Sequence, residues 1–192
     1  MNYIKEEYSN TIEIKKSKFI AHLMPYSDFQ NIMARLQEKH PKARHFVYAY
    51  RYLNEFDQIV ENSSDDGEPK GTSGKPSLKV LEGSDLINTA VIIVRYFGGT
   101  RLGTGGLVRA YGDAVNAVID ISELYEYKKL TTKYLKISYS QLSKIEYLIK
   151  QLDIQIINKL FENDIILQLS STQKEFEQLD LQLPLGLELS DE

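Results

Sequence analysis

The chain has 192 residues and no cysteine. Disulfides, thiolate nucleophiles, thiolate zinc sites and iron–sulfur clusters are therefore excluded as a basis for its fold or chemistry. Long apolar runs are missing too. The longest, such as Thr89-Ala90-Val91-Ile92-Ile93-Val94, are strand-sized, far short of the roughly 20 residues of a membrane-spanning helix. The opening Met1-Asn2-Tyr3-Ile4-Lys5-Glu6-Glu7 has no apolar core behind a basic start, so no secretory signal is expected. These absences lead to the expectation of a cytoplasmic protein with no membrane partner. Glycine is scarce over most of the chain. Of the 11 glycines, ten fall between Gly67 and Gly112, and only Gly186 lies outside.

Charge is low and unevenly placed. The net charge is -4, yet through Leu130 17 basic residues meet 17 acidic ones; from Thr131 onward 6 meet 10. Such a chain has no global attraction for nucleic acid, so any such binding has to come from a local basic surface.

Hydrophobic periodicity sets out an α+β order. Thr11–Lys15 and Lys18–Leu23 alternate as two strands joined at Lys16-Ser17. Ser27-Asp28 opens a helix carrying Phe29, Ile32, Met33 and Leu36, which stops near His40 before Pro41. His45–Tyr52 reads as an aromatic strand. Glu61–Gly74 is polar, with glycine and proline, and reads as a long loop. A short helix is expected from Lys75, a buried strand over Asn88–Phe97, and a helix from about Leu107 to Glu123. A boundary falls near Glu126–Thr132, giving domains 1–127 and 128–192. The second reads strand, helix, strand, strand, helix, strand, a ferredoxin-like βαββαβ order.

Two segments carry the chemical content. Val94-Arg95-Tyr96-Phe97-Gly98-Gly99-Thr100-Arg101-Leu102-Gly103-Thr104-Gly105-Gly106-Leu107-Val108-Arg109 is a strand-turn-helix. Gly98, Gly99, Gly103, Gly105 and Gly106 let a backbone approach a ligand, and the following helix offers unpaired amides to an anion. Arg95, Arg101 and Arg109 suit phosphate. The alternative is a turn shaped only for packing, with Arg109 paired to Asp113. No Gly-Lys-Ser/Thr ending makes it a P-loop, and the Gly-x-Gly-x-x-Gly spacing fails. The second segment, Asp65-Asp66-Gly67-Glu68, offers oxygen ligands of the type that Mg²⁺ takes, with a hydrated acidic loop as the other reading. His45, Tyr48 and Tyr50, with Arg44 and Arg51, could stack bases beside basic groups, or simply fill a core. No histidine pair has metal spacing and no serine lies in a Gly-x-Ser-x-Gly elbow. No catalytic residues, resident metal or cofactor are expected.

Asp65-Asp66-Gly67-Glu68-Pro69-x-Gly71-Thr72-x-Gly74-x-Pro76, followed by Arg95-Tyr96-Phe97-Gly98-Gly99-x-x-Leu102-Gly103-x-Gly105-Gly106-Leu107-Val108-Arg109-Ala110-Tyr111, resembles the YigZ/IMPACT family. Ser17–Ala21, Ala43-x-His45 and Tyr48-Ala49-Tyr50 fit the same pattern. The resemblance covers residues 1 to about 125. It implies an N-terminal domain with the fold of the second domain of a small-subunit ribosomal protein, shared with small-metabolite kinases. The tail is similar to the last domain of elongation factor G. Many relatives carry a cysteine after the histidine; this chain has Phe46-Val47, which removes any thiol role. Eukaryotic members regulate translation. The leading expectation is a non-enzymatic, translation-associated protein that binds RNA, a ribosome or a translation factor through the Gly/Arg-rich strand-turn-helix; the alternative is a Mg²⁺-dependent enzyme or binder acting on a phosphorylated metabolite or nucleotide.

Overall fold

The computed structural model describes residues 1–191. The chain divides into two compact units, Met1–Tyr127 and Lys128–Glu192.

In the first unit, β2 (Tyr8–Ile14) and β3 (Ser17–Pro25) form a hairpin whose turn residues Lys15 and Lys16 both have positive φ. That backbone matches the right-handed twist of the two strands. With β4 (His45–Leu53), β5 (Ile59–Ser64) and β6 (Thr89–Tyr96) they make one antiparallel sheet in the order β2-β3-β6-β4-β5. The central strand β6 is apolar on both faces because helices cover both. On one face α2 (Gly74–Gly83) and α3 (Gly103–Ile119) pack through Leu81, Leu107, Ala110, Tyr111, Ala114, Val115 and Val118 onto Phe19, Ala21, Leu23, Val47, Ala49, Val91 and Ile93. On the other, α1 (Phe29–Lys39) sets Phe29, Ile32 and Leu36 against Met24, Ala90, Ile92 and Val94. A short ribbon pairs β1 (Asn2–Tyr3) with β7 (Tyr125–Glu126).

The second unit contains β8 (Thr131–Ile137), α4 (Leu142–Gln151), β9 (Gln155–Phe161), β10 (Ile165–Ser171), α5 (Gln173–Asp180) and β11 (Leu189–Ser190). Its antiparallel sheet runs β11-β8-β10-β9, the βαββαβ topology. Ile145 and Ile149 of α4 and Phe176 and Leu179 of α5 cover Leu135, Ile137, Ile165, Leu167 and Leu169 on one sheet face.

Strand β2 starts at Tyr8, earlier than the expected Thr11, and α3 ends at Ile119, short of Glu123; two further differences bear on the site. Glu61–Ser64 is the end of strand β5, hydrogen-bonded to β4, so the loop is shorter than its polarity suggests. Helix α3 begins at Gly103 and not near Leu107, so three glycines sit inside its first turn. A run of glycine is a poor helix former, but the packing of the apolar face downstream overrides that local preference.

Candidate functional site

The site lies at the end of the sheet where β4 begins and β6 ends. Antiparallel register places His45 opposite Arg95. Alternation along β4 sends His45, Val47, Ala49 and Arg51 to the α2/α3 side and Phe46, Tyr48 and Tyr50 to the α1 side. The sequence reading grouped His45 with Tyr48 and Tyr50; the pleat separates them, because residues an odd number apart face opposite ways. Tyr48 and Tyr50 join an aromatic cluster with Phe29, in which Tyr50 also meets Tyr26 at 4.9 Å between ring centroids. Tyr26 in turn stacks on Tyr52 at 4.1 Å.

The acidic loop is not a solvated ligand set. Each of its three acids faces a different internal partner. Asp65 accepts hydrogen bonds from the amides of Gly71 (2.7 Å), Ser73 (3.1 Å) and Gly74 (2.8 Å) and from the Ser73 hydroxyl (2.8 Å). Ser73, at the N-cap position of α2, makes no side-chain cap of its own, so Asp65 does this work from across the loop. Burial works to raise the Asp65 carboxyl, but these four donors outweigh it and hold the group below its ordinary range. Asp66 accepts the Phe46 amide at 2.6 Å, and its backbone carbonyl accepts the His45 Nδ1–H at 2.8 Å. A carbonyl can only accept, so the proton of His45 sits on Nδ1 and Nε2 is left facing the site.

Glu68 turns inward. Its Oε1 accepts from Arg95 Nη1 at 2.5 Å and from the Tyr111 hydroxyl at 2.8 Å, with His45 Nε2 at 3.9 Å. The Glu68 and Arg95 side chains are 4% and 7% exposed, so the pair is a buried ion pair, strongly coupled to the fold. Burial first, and then the charge of Glu68, push the Tyr111 hydroxyl far above the ordinary tyrosine range, so it stays a donor. Arg95 Nε is buried with no hydrogen-bond partner, an orphan donor of a kind that costs about 1–3 kcal/mol. Asp65, Asp66 and Glu68 therefore do not converge on one metal position, and no cluster of metal-ligating side chains occurs among the described residues.

The glycine turn divides in two. Gly98 lies against the β2–β3 hairpin: a Cβ there would stand 2.0 Å from the Lys16 carbonyl carbon and 2.2 Å from the Ser17 nitrogen, and its amide donates to Ser17 Oγ at 3.1 Å. Gly98 is a packing glycine. Gly99 (φ +86°) and Gly103 (φ +72°) supply left-handed backbone with nothing near where a Cβ would sit. Gly105 is equally open; at Gly106 only Leu102 is close, at 3.1 Å. Leu102, at the N-cap position of α3, offers no side-chain cap to these amides. Arg101 and Arg109 are exposed, whereas Arg95 is not. The three arginines do not share one environment, because odd-numbered β6 residues point under α3 and a turn or helix surface does not. Arg51, the other arginine of the aromatic strand, is also buried, donating to Glu61 at 2.6 Å and to the Leu86 carbonyl at 3.0 Å.

A groove of about 570 Å³ opens here, lined by Lys42, Arg44, His45, Arg95, Tyr96 and Phe97. Lys42 and Arg44 are exposed in the link between α1 and β4, and Phe97 is 57% exposed. Lys42 escaped the sequence reading. The signal was present: two cations, Lys42 and Arg44, stand just ahead of His45.

The Impact N-terminal domain model matches residues 15–119, which include every residue of this site. An IMPACT family member of Haemophilus influenzae is 37% identical over 174 residues, 89% of this chain and 84% of that protein. The chain belongs to the IMPACT family. Another relative, IMPACT family member YigZ of Escherichia coli, is 39% identical over 161 residues, 82% of this chain and 79% of that one. A solved crystal structure of a hypothetical protein has the same fold over both units, at 33% identity, a TM-score of 0.66 and coverage of 98% of this chain and 95% of that one. Within the family's two long motifs, then, the acidic loop and the first part of the glycine turn brace the fold, and the later part leaves cations and amides exposed.

Proposed function

We propose that the protein is a cytoplasmic, translation-associated binder that acts by occupancy, holding RNA phosphates on the ribosome through the strand-turn-helix of β6 and α3. The observation that carries this is a pair of exposed cations, Arg101 and Arg109, flanking an α3 N-terminus with no side-chain cap, with Lys42 and Arg44 also exposed ahead of β4. Amides and cations of this kind fix phosphate positions without reading sequence. The resemblance to eukaryotic members that regulate translation gives the setting. A translation factor with an acidic surface is the other partner such a patch suits. Arg95 contributes from within, as the buried partner of Glu68 that keeps the start of β4 and the end of β6 in place.

The test is cosedimentation of the full chain with ribosomal subunits at low salt. Arg101→Glu with Arg109→Glu is expected to lower binding by about tenfold or more while the unfolding curve stays where it was. Unchanged binding by this variant defeats the reading.

A further inference from the structure

We infer that the groove at the β4–β6 end of the first unit is a nucleotide site, taking a phosphate on Lys42 and Arg44, above the buried Arg95, and a base against Phe97. This deepens the RNA reading above, and rests on it for the macromolecular source of the nucleotide.

Four observations converge. The groove, at about 570 Å³, falls within the roughly 300–1,000 Å³ of small-ligand sites. Three of its six lining residues, Lys42, Arg44 and Arg95, are cationic, and the acids beside them are engaged internally, Glu68 by Arg95 and Tyr111 and Asp66 by the Phe46 amide. Neither Lys42 nor Arg44 has a carboxylate partner among the described residues. The Arg95 side chain, more than nine-tenths buried, lines the groove yet has an Nε donor with no acceptor. The unpaired charges of Lys42 and Arg44, over the orphan Arg95 donor, favour an anion, and the exposed Arg44 guanidinium fork fits phosphate.

Bare phosphate would leave the aromatic wall unused. Phe97 is exposed, with the Arg95 guanidinium carbon 5.8 Å from its ring centroid, so an aromatic face and a cation stand side by side. That pairing suits a base with its phosphate one sugar away. The nucleotide could be free or at the 5′ end of an RNA strand; the chemistry of recognition is the same.

The experiment is calorimetric titration of the full chain with AMP, adenosine and inorganic phosphate, and with one short RNA carrying either a 5′-phosphate or a 5′-hydroxyl. AMP is expected to bind saturably and about tenfold or more tighter than adenosine. Lys42→Ala with Arg44→Ala, both at exposed positions, should weaken AMP by about tenfold with urea unfolding unchanged. Phe97→Ala should weaken AMP and leave inorganic phosphate as it was. A preference for the 5′-phosphorylated RNA assigns the site to strand ends; AMP binding without that preference assigns it to free nucleotide. AMP no tighter than adenosine, or AMP binding untouched by the Lys42/Arg44 variant, overturns the inference. If RNA still binds in an Arg101- and Arg109-dependent way while AMP does not, the nucleotide site fails and the RNA reading stands. Saturable AMP binding with no RNA or ribosome binding gives the reverse.

Discussion

The acidic loop at Asp65–Gly74 and the glycine turn at Gly98–Gly106 look alike as strings, both rich in glycine and charge, yet they spend their polar groups in opposite ways. In the loop every acid is satisfied inside the domain: Asp65 by the start of α2, Asp66 by the start of β4, Glu68 by Arg95 and Tyr111. In the turn, once Gly98 has passed the hairpin, amides and cations stay exposed. The difference teaches that charge in a motif points to ligand binding only where the fold leaves it without an internal partner.

Substitutions can break or sharpen that contrast. The largest effect belongs to the buried pair. Glu68→Ala or Arg95→Ala should each cost about 3–5 kcal/mol in urea unfolding, because either leaves one charge buried alone. Replacing both with apolar residues of similar size should recover much of that loss. A cost below about 1 kcal/mol for the single variants would show that the loop is not the brace described.

Next comes the turn itself. Gly98→Ala forces a Cβ into the Lys16–Ser17 backbone and should cost about 2 kcal/mol or more. Gly105→Ala, in open space within α3, should be neutral or stabilising by up to about 1 kcal/mol, and any loss of RNA binding it causes would come from masking the amides. Equal destabilisation by the two would erase the division of the turn.

Asp65→Asn should cost about 1–2 kcal/mol at neutral pH through loss of its charged contact with the α2 amides. The folded carboxyl is held below its unfolded value, so its contribution is complete above the unfolded value and disappears as pH falls through the folded one. The stability gap between the natural protein and Asp65→Asn should therefore hold above about pH 4 and narrow as the pH falls further. A gap that persists in acid would mean the carboxylate charge is not what holds the helix start. The smallest effect is expected from Arg101→Glu and Arg109→Glu, each within about 0.5 kcal/mol in stability, since both side chains are exposed.

Much of the fold was legible. The doubly covered strand Thr89–Tyr96 shows its burial as an unbroken apolar run, and the alternation of Ile165–Ser171 in the second unit shows the opposite case, a strand covered on one face. Parity along β4 was legible too, and would have separated His45 from Tyr48 and Tyr50. The pairing of Glu68 with Arg95 was not, because the two lie 27 residues apart and meet only when the loop folds back under α3. Nor was the role of Asp65, which caps a helix from nine residues upstream and so has no local spacing to betray it. Lys42 and Arg44 stand together in sequence just ahead of His45, but only the fold brings them beside Phe97.

The most direct measurement is the salt dependence of RNA or ribosome binding by the full chain. Binding through exposed cations on phosphates should weaken steeply from low to moderate salt, the log–log slope shrinking by about one for each of Arg101 and Arg109 replaced. A flat salt dependence, or a slope the two replacements leave unchanged, would contradict phosphate binding at this surface.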